Sequence, residues 1–298
     1  MRYHSQSIRI NTPCLLSVFV LFCMHIGLTL AEPANKSFDI VYINLARHTA
    51  KKEHVEQMLK HANCTFKRFN GVDGKELHKG TKSIKDYTGG IAIEPTDESV
   101  YPRLDSNNPG RAGCHLSHLI VLRSIDISGS KRPVLILEDD IDLDVGFVEK
   151  VEEALANPEL NSMWNVIMLG GLFDKSWWGR PCKNLVEGKY LACLHAYLVN
   201  GAESAKRIAD AIDTPKCPGR PVDLIIEQQF RNDPSFTIYC FSPMIAVQRR
   251  DLFESSISIP ANPSFARQFL KDLFAAECFR PLSSSLAKAS SHAKPEGS

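Results

Sequence analysis

Residues 134–144, VLILEDDIDLD, run an apolar stretch straight into five carboxylates. Val134 to Leu137 have the continuous apolar pattern of a strand buried on both faces in a mainly parallel sheet. Open α/β sheets take their ligands just outside the carboxyl ends of the strands, and that is where Glu138, Asp139 and Asp140 fall. Side chains alternate along extended backbone, so Glu138 and Asp140 are expected on one side and Asp139 on the other. Two same-side carboxylates at a strand tip suit a hard divalent cation, Mg²⁺ or Mn²⁺, which can bridge protein oxygens to substrate phosphates. A solvated acidic turn after a core strand fits the same residues, and these positions alone do not choose between the two.

The elements that would hold this acidic tip follow from periodicity. FDIVYINL (38–45) reads as the first buried strand. Thr49 to His61 has helical spacing, with Val55, Met58 and Leu59 on one face. Cys64 to Phe69 predicts a second strand. Residues 71–109 are polar, rich in Gly, Pro, Lys and Asp, and read as a long loop region, a substrate-facing insertion or lid. Further on, the sequence predicts a helix over 113–127, the acidic-ended strand, a helix over 147–156, and strands over 164–169 and 190–199. Helices over 202–212 and 221–230 and a strand over 236–241 complete the pattern. Strand and helix alternate, which predicts an α/β fold with a mainly parallel central sheet flanked by helices. From about residue 280 the chain is rich in Ser, Ala, Lys and Pro, the composition of a disordered tail (280–298).

A formal net charge of +1 gives no global field for nucleic acid, and no 20–50-residue repeat is visible. Residues 1–31 have the layout of a secretory signal peptide: Arg2 and Arg9, an apolar run from Cys14 to Leu30, then small residues around Ala31. An uncleaved signal anchor is the alternative, and only that would tie the protein to a membrane. Either way the body, 32–279, is expected in the lumen of the secretory pathway, the endoplasmic reticulum or Golgi, or secreted. Asn35-Lys36-Ser37 and Asn63-Cys64-Thr65 are glycosylation tripeptides consistent with that address. Seven cysteines follow the leader (64, 114, 182, 193, 217, 240 and 278), enough for one to three disulfides, with at least one left over.

Several segments, in order, resemble glycosyltransferase family 25, which includes bacterial lipooligosaccharide galactosyltransferases and animal procollagen galactosyltransferases. They are VYINLARHTAKKEHVEQML, FNGVDGKEL, GRAGCHLSHLIVL, LILEDDIDL, WNVIMLGG, HAYLVNGAESAKRI, PVDLIIEQQF and PMIAVQ, spanning about 38–257. The resemblance implies a GT-A-like fold in a single catalytic domain, a UDP-sugar donor (most often UDP-galactose), dependence on Mn²⁺ or Mg²⁺, and inversion to a β-linkage. It makes Glu138 and Asp140 the metal ligands, with Asp139 and Asp142 as second candidates that contact the ribose or a loop. Asn44 and Arg47 at the end of the first strand, and Arg111 and Ser117 on the GCxLSH helix, become candidate donor contacts. Inversion needs a base to deprotonate the acceptor hydroxyl. Asp223 and Glu227, spaced i and i+4 on one helix face, are the candidates, with Asp223 preferred. As the first-turn acid of its helix, Asp223 has a structural reading too. His118, four residues from Cys114, reads as a packing residue, and His195 as a buried, hydrogen-bonded histidine or a further ligand. Trp177 and Trp178 offer stacking faces for a sugar. The implied acceptor is a glycan or glycoprotein, a collagen-like hydroxylysine among them. A non-catalytic relative that binds sugar or serves adhesion is the alternative.

Overall fold

The computed structural model describes residues 32–88, 108–160, 164–171, 181–182, 184–188, 193–213, 221–254 and 279–285. Contacts divide the chain into Met1–Pro33 and Ala34–Ser298, and the elements named here belong to the second unit. The 1–31 leader, Trp177, Trp178 and residues 286–298 lie outside the described residues.

In chain order the elements are β1 (Asp39–Asn44), α1 (Thr49–His61), β2 (Lys67–Asn70), α2 (Gly74–His78), a 3₁₀ turn (Ile84–Tyr87), α3 (Pro109–Ser128), β3 (Val134–Leu137), β4 (Ile141–Leu143), α4 (Phe147–Leu155) and β5 (Trp164–Met168). They continue with β6 (Pro181–Cys182), β7 (Leu185–Gly188), β8 (Ala196–Val199), α5 (Gly201–Ile212), α6 (Val222–Phe230), β9 (Thr237–Phe241) and β10 (Ala246–Gln248). The main sheet has the order β2-β1-β3-β8-β5-β9-β7-β6. Pairings of β1 with β2 and β3, and of β5 with β9, are parallel, while β8 runs against both β3 and β5. β7 runs against β9 and β6. Most strands therefore share one direction, and β8 and β7 oppose it.

The continuous apolar run of β3 has its reason here. Val134 and Ile136 enter one core, with Leu116, Ile120, Ile208 and Ile225 from α3, α5 and α6. Leu135 and Leu137 enter the other, with Met58, Leu59, Phe147 and Val151 from α1 and α4. Helices cover both faces of the strand, so no position in it can be polar. Among the described residues, no helix is long and apolar enough to cross a membrane.

Several sequence expectations are corrected. The region 71–109 contains α2 and the 3₁₀ turn in place of an unbroken loop. Helix α3 starts four residues earlier than 113 because Asn108 caps it, its side chain accepting from the Arg111 N–H, with Pro109 in the first turn. Of the strand expected over 190–199, residues 190–192 lie outside the described residues and the strand observed is Ala196–Val199; Cys193 has φ 69° and donates its N–H to Asp223, so it is not extended. The tail is ordered at its start. Phe279 and Leu282 are buried, and Pro281 bridges to Asp144. Strands β4, β6, β7 and β10 had no expectation at all.

Asn35, one of the two expected glycosylation acceptors, is 1% exposed. Its amide donates to the carbonyls of Phe38 and Thr65 and accepts from the Thr65 N–H, so it is a structural tie. Asn63 is exposed, in a positive-φ turn after α1. Cys64, Cys114 and Cys240 carry free thiols.

Candidate active site

The carboxyl ends of β1 and β3 open into a cleft walled by α1, α2 and α3, with residues 138–140 at its base. Two glycines set the wall. A Cβ on Gly74 would sit 1.6 Å from the Pro109 carbonyl oxygen, and one on Gly113 would sit 2.4 Å from that of Val72. Backbone thus crosses backbone where FNGVDG meets GRAG, and only glycine permits that approach. Ser117 Oγ secures the crossing by accepting from the Val72 N–H (2.8 Å) and donating to the Gly113 carbonyl (2.7 Å). Ser117 lines the cleft with both bonds already used.

The three acids diverge as alternation requires. Gln248 Nε2 donates to Asp140 Oδ1 (3.1 Å) and Glu138 Oε2 (3.4 Å), so these two share a side. Asp139 turns instead to Asn44, whose Nδ2 donates to it at 2.8 Å, and toward His48 and Lys51. Asn44 also accepts from Arg68 Nε and donates to the His48 carbonyl, which makes it the knot at the end of β1. Lys51 is 7% exposed and reaches both Asp139 (3.4 Å) and Asp140 (3.5 Å). Burial raises the Asp139 carboxyl, but His48, Lys51 and Asn44 outweigh it and hold the group below its ordinary value. At Asp140, burial first and the Glu138 charge second push the value up to about 6. Glu138 is half-buried; desolvation raises its carboxyl, yet the hydrogen bond and charge of His118 keep it below the ordinary range.

Arg47, 40% exposed at its side chain, pairs with Asp73 at the cleft mouth. Arg111 lies one position from the lining residue Gly110, in the first turn of α3. Asp223 opens α6 and accepts from the N–H groups of Cys193 (2.8 Å) and Leu224 (2.9 Å). Burial first, then the charges of Glu138, Asp223 and Asp140, drive the Cys114 thiol well above its ordinary value, so Asp223 acts electrostatically on the same site. Glu227 is buried and ion-paired with Arg231, away from any free role. His195 is buried as expected, beside the backbone of Ala246.

Asp142 and Asp144, the last two acids of the motif, serve another purpose. Arg249 Nη1 donates to Asp142 at 2.7 Å, and Ser283 binds the same carboxylate; Asp144 accepts from the Arg280 N–H at 2.6 Å and pairs with Lys150.

Sequence reasoning passed over Lys51, Gln248 and Tyr197. Lys51 carried a readable signal: it lies on the 51-55-58-59 stripe that α1 buries, and a lysine on a buried stripe requires a carboxylate opposite. Gln248 carried none, since its partners lie 108 and 110 residues away.

The family model described as Glycosyltransferase family 25 (LPS biosynthesis protein) matches residues 38–180, which include β1, the Gly74–Gly113 crossing and the acidic tip. Over that span the chain is similar to glycosyltransferase family 25. Curated relatives include a "Glycosyltransferase 25 family member" of Aedes aegypti, 25% identical over 66% of this chain and 31% of that protein. A "Putative glycosyltransferase R655" of Acanthamoeba polyphaga mimivirus is 29% identical over 42% of this chain and 35% of its own. A "Procollagen galactosyltransferase 1-B" of Xenopus laevis is 27% identical over 46% and 22%. The chain thus spans about a third or less of the length of each of these proteins.

Proposed function

We propose that the protein is a metal-dependent, inverting glycosyltransferase with a GT-A-like catalytic domain. In this reading it moves galactose from UDP-galactose to a hydroxyl of a glycan or glycoprotein, forming a β-linkage, in the secretory pathway. The observation that carries the reading is the cleft at the strand ends, where Glu138 and Asp140 face one space with Arg47 at its mouth. The carboxylate donor set fits Mn²⁺ or Mg²⁺: buried Asp140 and half-buried Glu138 are crowded together, and the nearby positive charge is a lysine at 3.5 Å. When bound, such an ion offsets the negative charge that develops on the diphosphate leaving group.

The chain's own residues supply the rest. Arg47 is the exposed cation suited to a phosphate or uracil contact, and it pairs with Asp73. Asn44 fixes Asp139 toward the ribose position, and Arg111 and Ser117 bound the donor from α3. Asp223 is the preferred base. A carboxylate has about four lone-pair positions, and two backbone N–H groups leave room for an acceptor hydroxyl. Glu227 is the weaker candidate because Arg231 already neutralises it. The name of the Xenopus relative is the support for a galactose donor and a collagen-like acceptor.

UDP release by the purified protein from a panel of UDP- and GDP-sugars, with and without Mn²⁺, tests the reading. Mn²⁺-dependent release from UDP-galactose, accelerated by a hydroxylysine collagen peptide or a galactosyl acceptor, is the expected result. Asp140→Ala is expected to lower it by about 100-fold or more while the circular dichroism melt is retained. A folded protein that neither releases nor binds UDP with Mn²⁺ would make the non-catalytic, sugar-binding reading the better one.

A further inference from the structure

Glu138 has two oxygens, and they face different company. Oε2 shares Gln248 with Asp140, as above. Oε1 lies 3.3 Å from His118 Nε2 and 3.8 Å from Cys114 Sγ. One ligand atom from each of Cys114, His118 and Glu138 lies within 4.8 Å of the others. Cys114 and His118 are one helical turn apart on α3, so a rigid element sets their spacing. Metal–sulfur bonds of about 2.3 Å and metal–nitrogen or –oxygen bonds of about 2.0–2.2 Å give tetrahedral edges of roughly 3.3–3.7 Å. The two measured edges are close to that range.

The surroundings are those of a ligand set too. His118 Nδ1 lies 2.9 Å from the Tyr197 hydroxyl, so its outer nitrogen is held from behind and Nε2 is turned to the cluster. His195, 5% exposed, accepts the Glu138 N–H on its backbone carbonyl at 2.8 Å and so fixes the backbone of that ligand.

We propose that Cys114, His118 and Glu138 Oε1 form a second cation site, selective for a borderline-soft divalent ion of the Zn²⁺ type, with a fourth position open to the cleft. Thiolate and imidazole donors favour such an ion over Mn²⁺ or Mg²⁺, and a coordinating thiol loses its proton to bulk water on binding. This site shares Glu138 with the donor-metal reading but not Asp140, and it stands whether or not sugar is transferred.

Titration of the full, metal-stripped protein with Co²⁺, then displacement by Zn²⁺, is the test. A near-ultraviolet thiolate-to-Co²⁺ band and tetrahedral visible bands, at one ion per chain and bleached by Zn²⁺, are expected. Cys114→Ser should remove the thiolate band and weaken Zn²⁺ binding by about 10-fold or more, whereas Asp140→Asn should keep the band. A wild-type protein without the band, or a Cys114→Ser protein that binds Zn²⁺ as tightly as wild type, overturns the site. Loss of the band in Asp140→Asn, with its melt unchanged, overturns it as well by making the acidic tip a single site. Mn²⁺-dependent UDP release, measured on the same samples, reports separately on the transferase reading.

Discussion

At the residue scale, the contrast between Lys51 and Arg47 separates stability from function. Both are cations in one cleft beside an aspartate. Lys51 is buried at 7% exposure with two carboxylates in reach, and Arg47 is exposed and holds one. Removing one member of a buried charged group leaves its partners uncompensated, which costs about 3–5 kcal/mol. Lys51→Met is expected to lower the free energy of unfolding in urea by that much, and Asp139→Asn in the same chain should recover part of it. Arg47→Met should cost less than about 1 kcal/mol, as exposed pairs do. If donor binding uses Arg47, its loss appears in the KM for the sugar nucleotide. Equal destabilisation by the two variants would show that burial does not distinguish them. The sequence placed Arg47 at the strand end but gave Lys51 no role, because a charge is read as solvated until the stripe it sits on is weighed.

At the scale of elements, the sequence was most legible where one periodicity ran uninterrupted. β1, β3, α1 and α5 lie near where their patterns put them, because local apolar spacing and global burial agree there. It failed at short strands such as β7 and β10, whose pairing is decided by residues far along the chain. The FNGVDG and GRAG segments were visible as motifs, but the reason for their glycines needed the crossing. Gly113→Ala should therefore be far more costly than Gly80→Ala, where the only penalty is a φ of +68°, about 1–2 kcal/mol. Thermal melts of the two variants compare them directly. A second element contact makes a pH prediction. His115 on α3 donates Nε2–H to the Ile212 carbonyl of α5 (3.0 Å), and its Nδ1 is buried without a partner. Burial lowers its value from 6.5 to about 4. As pH falls below 6.5 the unfolded chain takes up the proton first, so stability declines until about pH 4, by roughly 3 kcal/mol in all. His115→Gln keeps a donor and cannot titrate, so its melting temperature should fall less over that interval. Parallel pH profiles for the two proteins would remove His115 from the account.

Over the whole molecule, the acidic motif is two devices in one run of sequence. Glu138, Asp139 and Asp140 face the cleft, while Asp142 and Asp144 tie the segment around 279–285 to β4. The residues are alike in type, and only partners 107 to 141 residues away separate them, which is why the sequence read all five as one cluster. Asp142 is fully buried, with Arg249 as its counter-charge. Arg249 also bonds Asp251 and, through its N–H, the Asp140 carbonyl, so the C-terminal tie and the cleft share one anchor. A double-mutant cycle states what the tie contributes. Arg249→Met alone should cost about 3–5 kcal/mol by stranding a buried carboxylate, and Asp142→Asn alone somewhat less, since an amide keeps one acceptor for Ser283. The pair together should cost clearly less than the sum of the two, because the stranded charge is gone. Strict additivity in urea unfolding would mean that the two side chains do not act as a unit. The ordering of 279–285 would then rest on Phe279 and Leu282 in the core, not on the acids.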